Sequence, residues 1–133
     1  MNKMLKTFII YISITLFAIL FTNVYAVFGH GVRSKHMDFM FIVPLVSALI
    51  FLCMFFFRIC IYENKKYRLF LNIYSSGAAS LTIGLLLRGV IYIAGSSSVY
   101  VSWFIYAGTA MLAFGILMLF ILLISAKIKM KDK

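Results

Sequence analysis

The sequence predicts an all-α integral membrane protein, an up-down bundle of four membrane-spanning helices. Three observations carry this. First, hydrophobic residues make up 65% of the 133 and charged residues 12%, with a mean hydropathy of +1.08. Soluble domains run at roughly 45–50% apolar and ~25% charged. Second, the apolar residues fall into four runs, each reaching the ~20 residues that a helix needs to cross the hydrocarbon. Third, the basic residues gather at alternate ends of those runs. A β-barrel would show ~10-residue segments alternating with period two. Runs such as FIIYISITLFAILF and AMLAFGILMLFILLI do not alternate, and a helix satisfies its own backbone groups where there is no water to do so.

The first span, residues 7–28, follows the basic opening MNKMLK. That opening also resembles a secretory signal, with Val24 and Ala26 at the small positions of a cleavage site. The expectation is a retained helix, and intact mass separates the two cases. The second span, 39–61, contains Pro44, whose missing backbone donor is expected to kink the helix. Arg58 near its far end is read as a headgroup anchor. Cys53 and Cys60 lie seven residues apart, ~10.5 Å along a helix. A disulfide needs Cα atoms within ~7 Å, so they are read as small buried hydrophobes, which disfavours a thiol oxidase. The third span, 69–93, carries Asn72 and Arg88, and the fourth covers 102–125. The connections at 29–38, 62–68 and 94–101 are short, so consecutive helices should be antiparallel neighbours. No soluble domain fits in what is left over.

Thirteen Lys and Arg give a net charge of +10. With four spans, Lys3, Lys6, Arg58, Lys65, Lys66, Arg68, Lys127, Lys129, Lys131 and Lys133 share one side, against Arg33, Lys35 and Arg88 on the other. Lys and Arg in short loops favour the cytoplasm, so both termini are expected there, and dual topology is disfavoured. In a soluble protein this charge would point to nucleic acid. Here it flanks membrane spans and faces anionic headgroups, so no nucleic-acid partner is expected.

Small residues let helices approach closely in lipid, where no hydrophobic effect drives them together. The third span has Ser76, Ser80 and Gly84 at spacing four, leading to Arg88. The third and fourth spans share a pattern: GAASLTIGLL at 77–86 matches GTAMLAFGIL at 108–117, both reading G-x-A-x-L-x-x-G-(L/I)-L. The two helices are expected to pack tightly. Tyr92, Tyr100, Trp103 and Tyr106 form an expected interfacial aromatic belt, or the wall of a ligand pocket beside Arg88.

The candidate site is an outer polar cluster of His30, His36, Asp38 and Arg88. Both histidines of the chain lie in FGHGVRSKHMD, where Gly29 and Gly31 allow a sharp turn. Histidine can bind metal or haem or respond to protons. Two histidines six residues apart in a basic loop are a poor cation site, and no further His exists for a two-haem arrangement. The stretch is read as a structural turn with interfacial histidines, and neither metal nor cofactor is expected. Arg88 lies inside a span, where charge often marks function, but at this depth it is read as snorkelling outward or forming a structural pair, with Asp38, the only acid on that side, as its expected partner. The acids are Asp38, Glu63 and Asp132, none within a span, which disfavours a proton-coupled exporter. Nothing reads as a nucleophile–base–acid constellation, a phosphate-binding glycine loop or a zinc site.

The segment VYAVFGHGVRSKHM followed by FMFIVPL resembles a group of small four-span membrane proteins of Gram-positive bacteria. That group carries V-Y-x-x-F-(G/S)-H-G-V-x-S-x-x-M and then an apolar run with a proline. The match covers residues 24–45, with a looser S-x-x-x-L-T-x-G likeness at 76–84. The resemblance implies a bacterial plasma membrane and a retained first helix, and it implies no activity. The expected function is that of a non-enzymatic accessory or interaction subunit that partners the lipid bilayer and a second membrane protein or its own copies. The alternative is an oligomeric transporter, channel or holin-like pore in which Arg88, Ser76, Ser80 and Thr82 line an anion path. A haem or quinone protein is a third class, to be tested by colour.

Overall fold

The structure is a computed structural model and describes residues 3–31, 33–57 and 65–131, the side chains of 129–131 excepted. It contains α1 (Lys3–Phe28), α2 (Lys35–Asp38), α3 (Ile42–Phe56), α4 (Tyr67–Ile93) and α5 (Val99–Lys131). Four stretches are long and apolar enough to cross a membrane: α1, α2 together with α3, α4, and α5. Among the described residues there is no strand. The fold is the all-α, four-span bundle that the hydropathy pattern demands.

α1 and α5 outrun the apolar runs that define them. α1 begins at Lys3 rather than 7, and α5 covers Val99–Lys131 rather than 102–125. Hydropathy marks the hydrocarbon, whereas a helix continues through interfacial residues whose long side chains reach back to the headgroups. The 33 residues of α5 give a rod of about 50 Å against a hydrocarbon core of ~30 Å.

The second span departs most from expectation. It starts at Lys35 and is broken, with a turn at 39–41 between α2 and α3. Met40 N donates to Met37 O at 3.3 Å and Ile42 N to Phe39 O at 3.1 Å, both tight three-residue steps. Pro44 sits in the first turn of α3, where its missing donor would be unpaired anyway. The expected kink at proline is therefore a full break one turn earlier. Arg58 and Cys60 lie outside the described residues, as do Glu63 and Asp132. Cys53 is a free, exposed thiol rather than a buried one.

A backbone break within a span must be covered by protein. Met37 and Met40 are buried in a cluster with Ala18, packed by Phe21, Leu85 and Leu86. Thr22 Oγ1, on α1, donates to the Met37 carbonyl at 3.2 Å.

The helices pack as two pairs. α4 and α5 share the most extensive contact and α1 and α3 the next, while α2 and α3 tie the α1/α3 pair to α4. α5 leans on α4 and on no other helix to a comparable extent. The α4/α5 seam is antiparallel and glycine-lined. A Cβ on Gly77 would lie 2.8 Å from Leu112 N, one on Gly108 2.6 Å from Leu81 N, and one on Gly84 3.0 Å from Ile105 Cγ1. Ser80 Oγ donates across the seam to Phe104 O at 3.2 Å. The repeated G-x-A-x-L-x-x-G pattern thus marks a real backbone-to-backbone approach.

Between the pairs lies an aromatic core. Phe51 and Phe70 are fully buried. Tyr11 stacks on Phe51 with centroids 5.6 Å apart, and Tyr74 meets Phe51 edge-on at 6.0 Å and Phe70 at 5.7 Å. The hydroxyls of Tyr11 and Tyr74 find partners on other helices, Ser75 at 3.1 Å and Ser47 at 3.0 Å.

Candidate functional site at the distal end

The distal end of the bundle is where α1 finishes and α5 begins, away from both termini. α1 closes with Gly31 N donating to Ala26 O at 2.9 Å. The left-handed residues of this turn are His30 (φ 54°) and Gly31 (φ 81°), not Gly29. His30 therefore occupies a position that usually selects glycine. It is exposed.

From there the chain runs back along α1. Arg33 Nη2 donates to Asn23 Oδ1 at 2.9 Å. Arg33 Nε stands 3.8 Å from Asp38 Oδ1, with the two side chains 53% and 38% exposed. Asp38 is thus paired with Arg33 and not with Arg88, contrary to the sequence expectation. The reason is local: four helical residues of α2 turn Asp38 toward the α1 side, where Arg33, Thr22 and Asn23 share a groove with it. Ser34 precedes α2 without capping it, and its buried Oγ has no hydrogen-bond partner.

α2 docks on α4 at Gly89, where a Cβ would lie 2.8 Å from Met37 Cβ. This docking carries His36 to Tyr92, edge-on with ring centroids 6.5 Å apart. Both line an open cavity of about 480 Å³ together with Arg88, Ser97, Ser98 and Ser102. Of the four residues expected to cluster, the structure therefore brings together His36 and Arg88. It sets Asp38 on a separate groove, and His30 lines neither.

Tyr100, Trp103 and Tyr106 are exposed on α5 as a belt requires, while Tyr92 joins the cavity. The serine run at 96–98 belongs to the site although it was not singled out from the sequence. Three consecutive serines directly before a long helix and eight residues after an intramembrane arginine were the available signal. Among the described residues, no three His, Cys, Asp or Glu side chains are grouped to hold a metal ion. The cavity is cationic and rich in hydroxyls, and among the described residues no carboxylate lines it.

Comparison of the chain with protein-family models, with curated proteins and with solved structures finds no match.

Proposed function

We propose that the chain is a non-enzymatic accessory or interaction subunit of the bacterial plasma membrane, multi-pass, with both termini in the cytoplasm. The observation that carries this reading is the use made of polar groups inside the membrane. Tyr11, Ser47, Tyr74, Thr22 and Ser80 all spend their hydroxyls on helix-to-helix bonds. These hydroxyls hold the bundle together and are committed to packing rather than to transport or chemistry. The one-sided attachment of α5 adds a long apolar face, including Phe114, Leu117, Phe120 and Ile124, that is open to lipid or to a neighbouring protein.

The orientation is supported by charge. Lys3, Lys6, Lys65, Lys66, Arg68 and Lys127 mark one end of the bundle, against Arg33, Lys35 and Arg88 toward the other, in the sense of the positive-inside rule. The likeness of residues 24–45 to the Gram-positive four-span group supports the plasma membrane. α1 buries Met4, Tyr11, Thr15 and Ala18 in the bundle, which supports its retention.

The anion-path alternative loses support at Ser80 and Thr82, whose hydroxyls bond the Phe104 and Ala78 carbonyls. The deciding experiment is extraction of the tagged chain from native membranes in mild detergent, followed by reconstitution. Stoichiometric recovery with a second membrane protein, and no flux in liposomes, supports the accessory role. A homo-oligomer that passes chloride overturns it in favour of a pore.

A further inference from the structure

We propose that the distal cavity binds a phosphate group, carried by a lipid headgroup or by a soluble phosphate ester. The inference does not depend on the accessory role. Arg88 supplies the cation. It lies inside the α4 span, at the cavity, and forms no ion pair or hydrogen bond with any described residue. Of the chain's three acidic residues, only Asp38 lies among the described residues, and it faces Arg33. The arginine is exposed at the cavity, and no described residue supplies it with a counter-charge.

The rest of the wall has matching chemistry. A guanidinium presents a planar fork of donors that fits phosphate oxygens two at a time. Ser97, Ser98 and Ser102 add hydroxyls that can donate alongside it. The first turn of α5 also borders the cavity. Its leading N–H groups have no intrahelical acceptor, its dipole is positive at this end, and it contains no acidic residue. Ile91, Val99 and Val101 give the cavity an apolar side that suits the organic part of an ester. A volume of about 480 Å³ accommodates a headgroup or a small phosphate ester rather than a bare ion alone. The close approach of α2 at Gly89 brings His36 against Tyr92, so α2, α4 and the start of α5 all contribute to the cavity wall.

The test uses the full chain in phosphatidylcholine nanodiscs, read by the fluorescence of Trp103, the only tryptophan, and by the thermal midpoint. One arm titrates glycerol 3-phosphate, and the other replaces part of the lipid with phosphatidylglycerol. Saturable binding in the lipid arm alone assigns a headgroup, and saturable binding in the soluble arm assigns a free ester. Either result supports the site provided that Arg88→Gln weakens binding tenfold or more, Arg88→Lys weakens it less, and Lys127→Gln, at the opposite end, leaves it unchanged. Should Arg88→Gln fail to fold, Ser98→Asp places a carboxylate in the cavity and is expected to abolish binding. The proposal is overturned by no saturable binding in either arm. It is equally overturned by wild-type binding in Arg88→Gln or Ser98→Asp, or by a loss in Lys127→Gln that equals the loss in Arg88→Gln, since general attraction to a +10 chain would then explain the signal.

Discussion

Adding one methyl group at Gly108 places a Cβ 2.6 Å from the backbone nitrogen of Leu81 and 2.9 Å from its Cα. Ordinary van der Waals contact for such an atom is 3.4–4 Å, so α5 must move away from α4 by about 1 Å, because backbone cannot rotate aside. A gap of that size forfeits a quarter to a half of each contact along the seam. Overpacking of this kind costs ~1–3 kcal/mol, partly offset by the ~1 kcal/mol by which alanine favours a helix over glycine. The overlap is with backbone, so the upper part of that range applies, and a net loss of about 1–2 kcal/mol is expected for Gly108→Ala. At Gly115 the same methyl lies 3.2 Å from Tyr74 Cα. A shift of a few tenths of an ångström accommodates it, and Gly115→Ala should stay within ~0.5 kcal/mol of the parent. Gly84→Ala falls between, since its nearest neighbour is the side-chain Cγ1 of Ile105. The assay is reversible unfolding of the whole chain in mixed micelles with increasing dodecyl sulfate. The reasoning is refuted if Gly115→Ala costs as much as Gly108→Ala, or if Gly108→Ala unfolds like the parent.

Other expectations follow from single contacts. Tyr74→Phe and Ser47→Ala, combined in a double-mutant cycle, should couple by ~0.6 kcal/mol and by no more than ~1.7; zero coupling would remove the buried hydroxyl pair from the account. His30→Gly should stabilise the fold by about 1 kcal/mol, because it relieves a left-handed residue bearing a Cβ. A measured loss instead would show that the imidazole makes a contact of its own. Asp38→Asn should change stability by less than ~1 kcal/mol, given a long, exposed ion pair, and should leave phosphate binding at the distal cavity unaltered. A large loss in unfolding free energy would contradict the pairing with Arg33 described above.

All four spans were legible because crossing lipid imposes a length and a composition that few sequences satisfy by accident. The glycine seam was legible for a related reason: two helices that touch backbone to backbone need small residues at matching intervals, as at 77 and 84, 108 and 115. The break in the second span was not legible. Phe39, Met40 and Phe41 are as apolar as their neighbours, and hydropathy does not register a lost hydrogen bond. Pro44 pointed to the region but not to the turn that precedes it. The tyrosine core was also missed, since tyrosine is at home at the membrane edge. Its trace is the series Tyr67, Phe70, Tyr74 and Ala78, which repeats at three and four residues and marks one face of α4. The candidate site was half legible. Arg88 announced itself by its depth, but its nearness to His36 depends on α2 lying against Gly89, a contact between distant segments. Asp38 was matched to the wrong arginine because the sequence order of charges says nothing about which way a single turn of helix faces.

The uneven packing of the two helix pairs has a consequence for how the protein is made. Most of the adhesion in this chain is between neighbours in sequence, so each hairpin can be completed on leaving the insertion machinery, with little left to do but latch the halves together. Two separately translated fragments, split within residues 58–64, should therefore find one another in the membrane and restore the joined form.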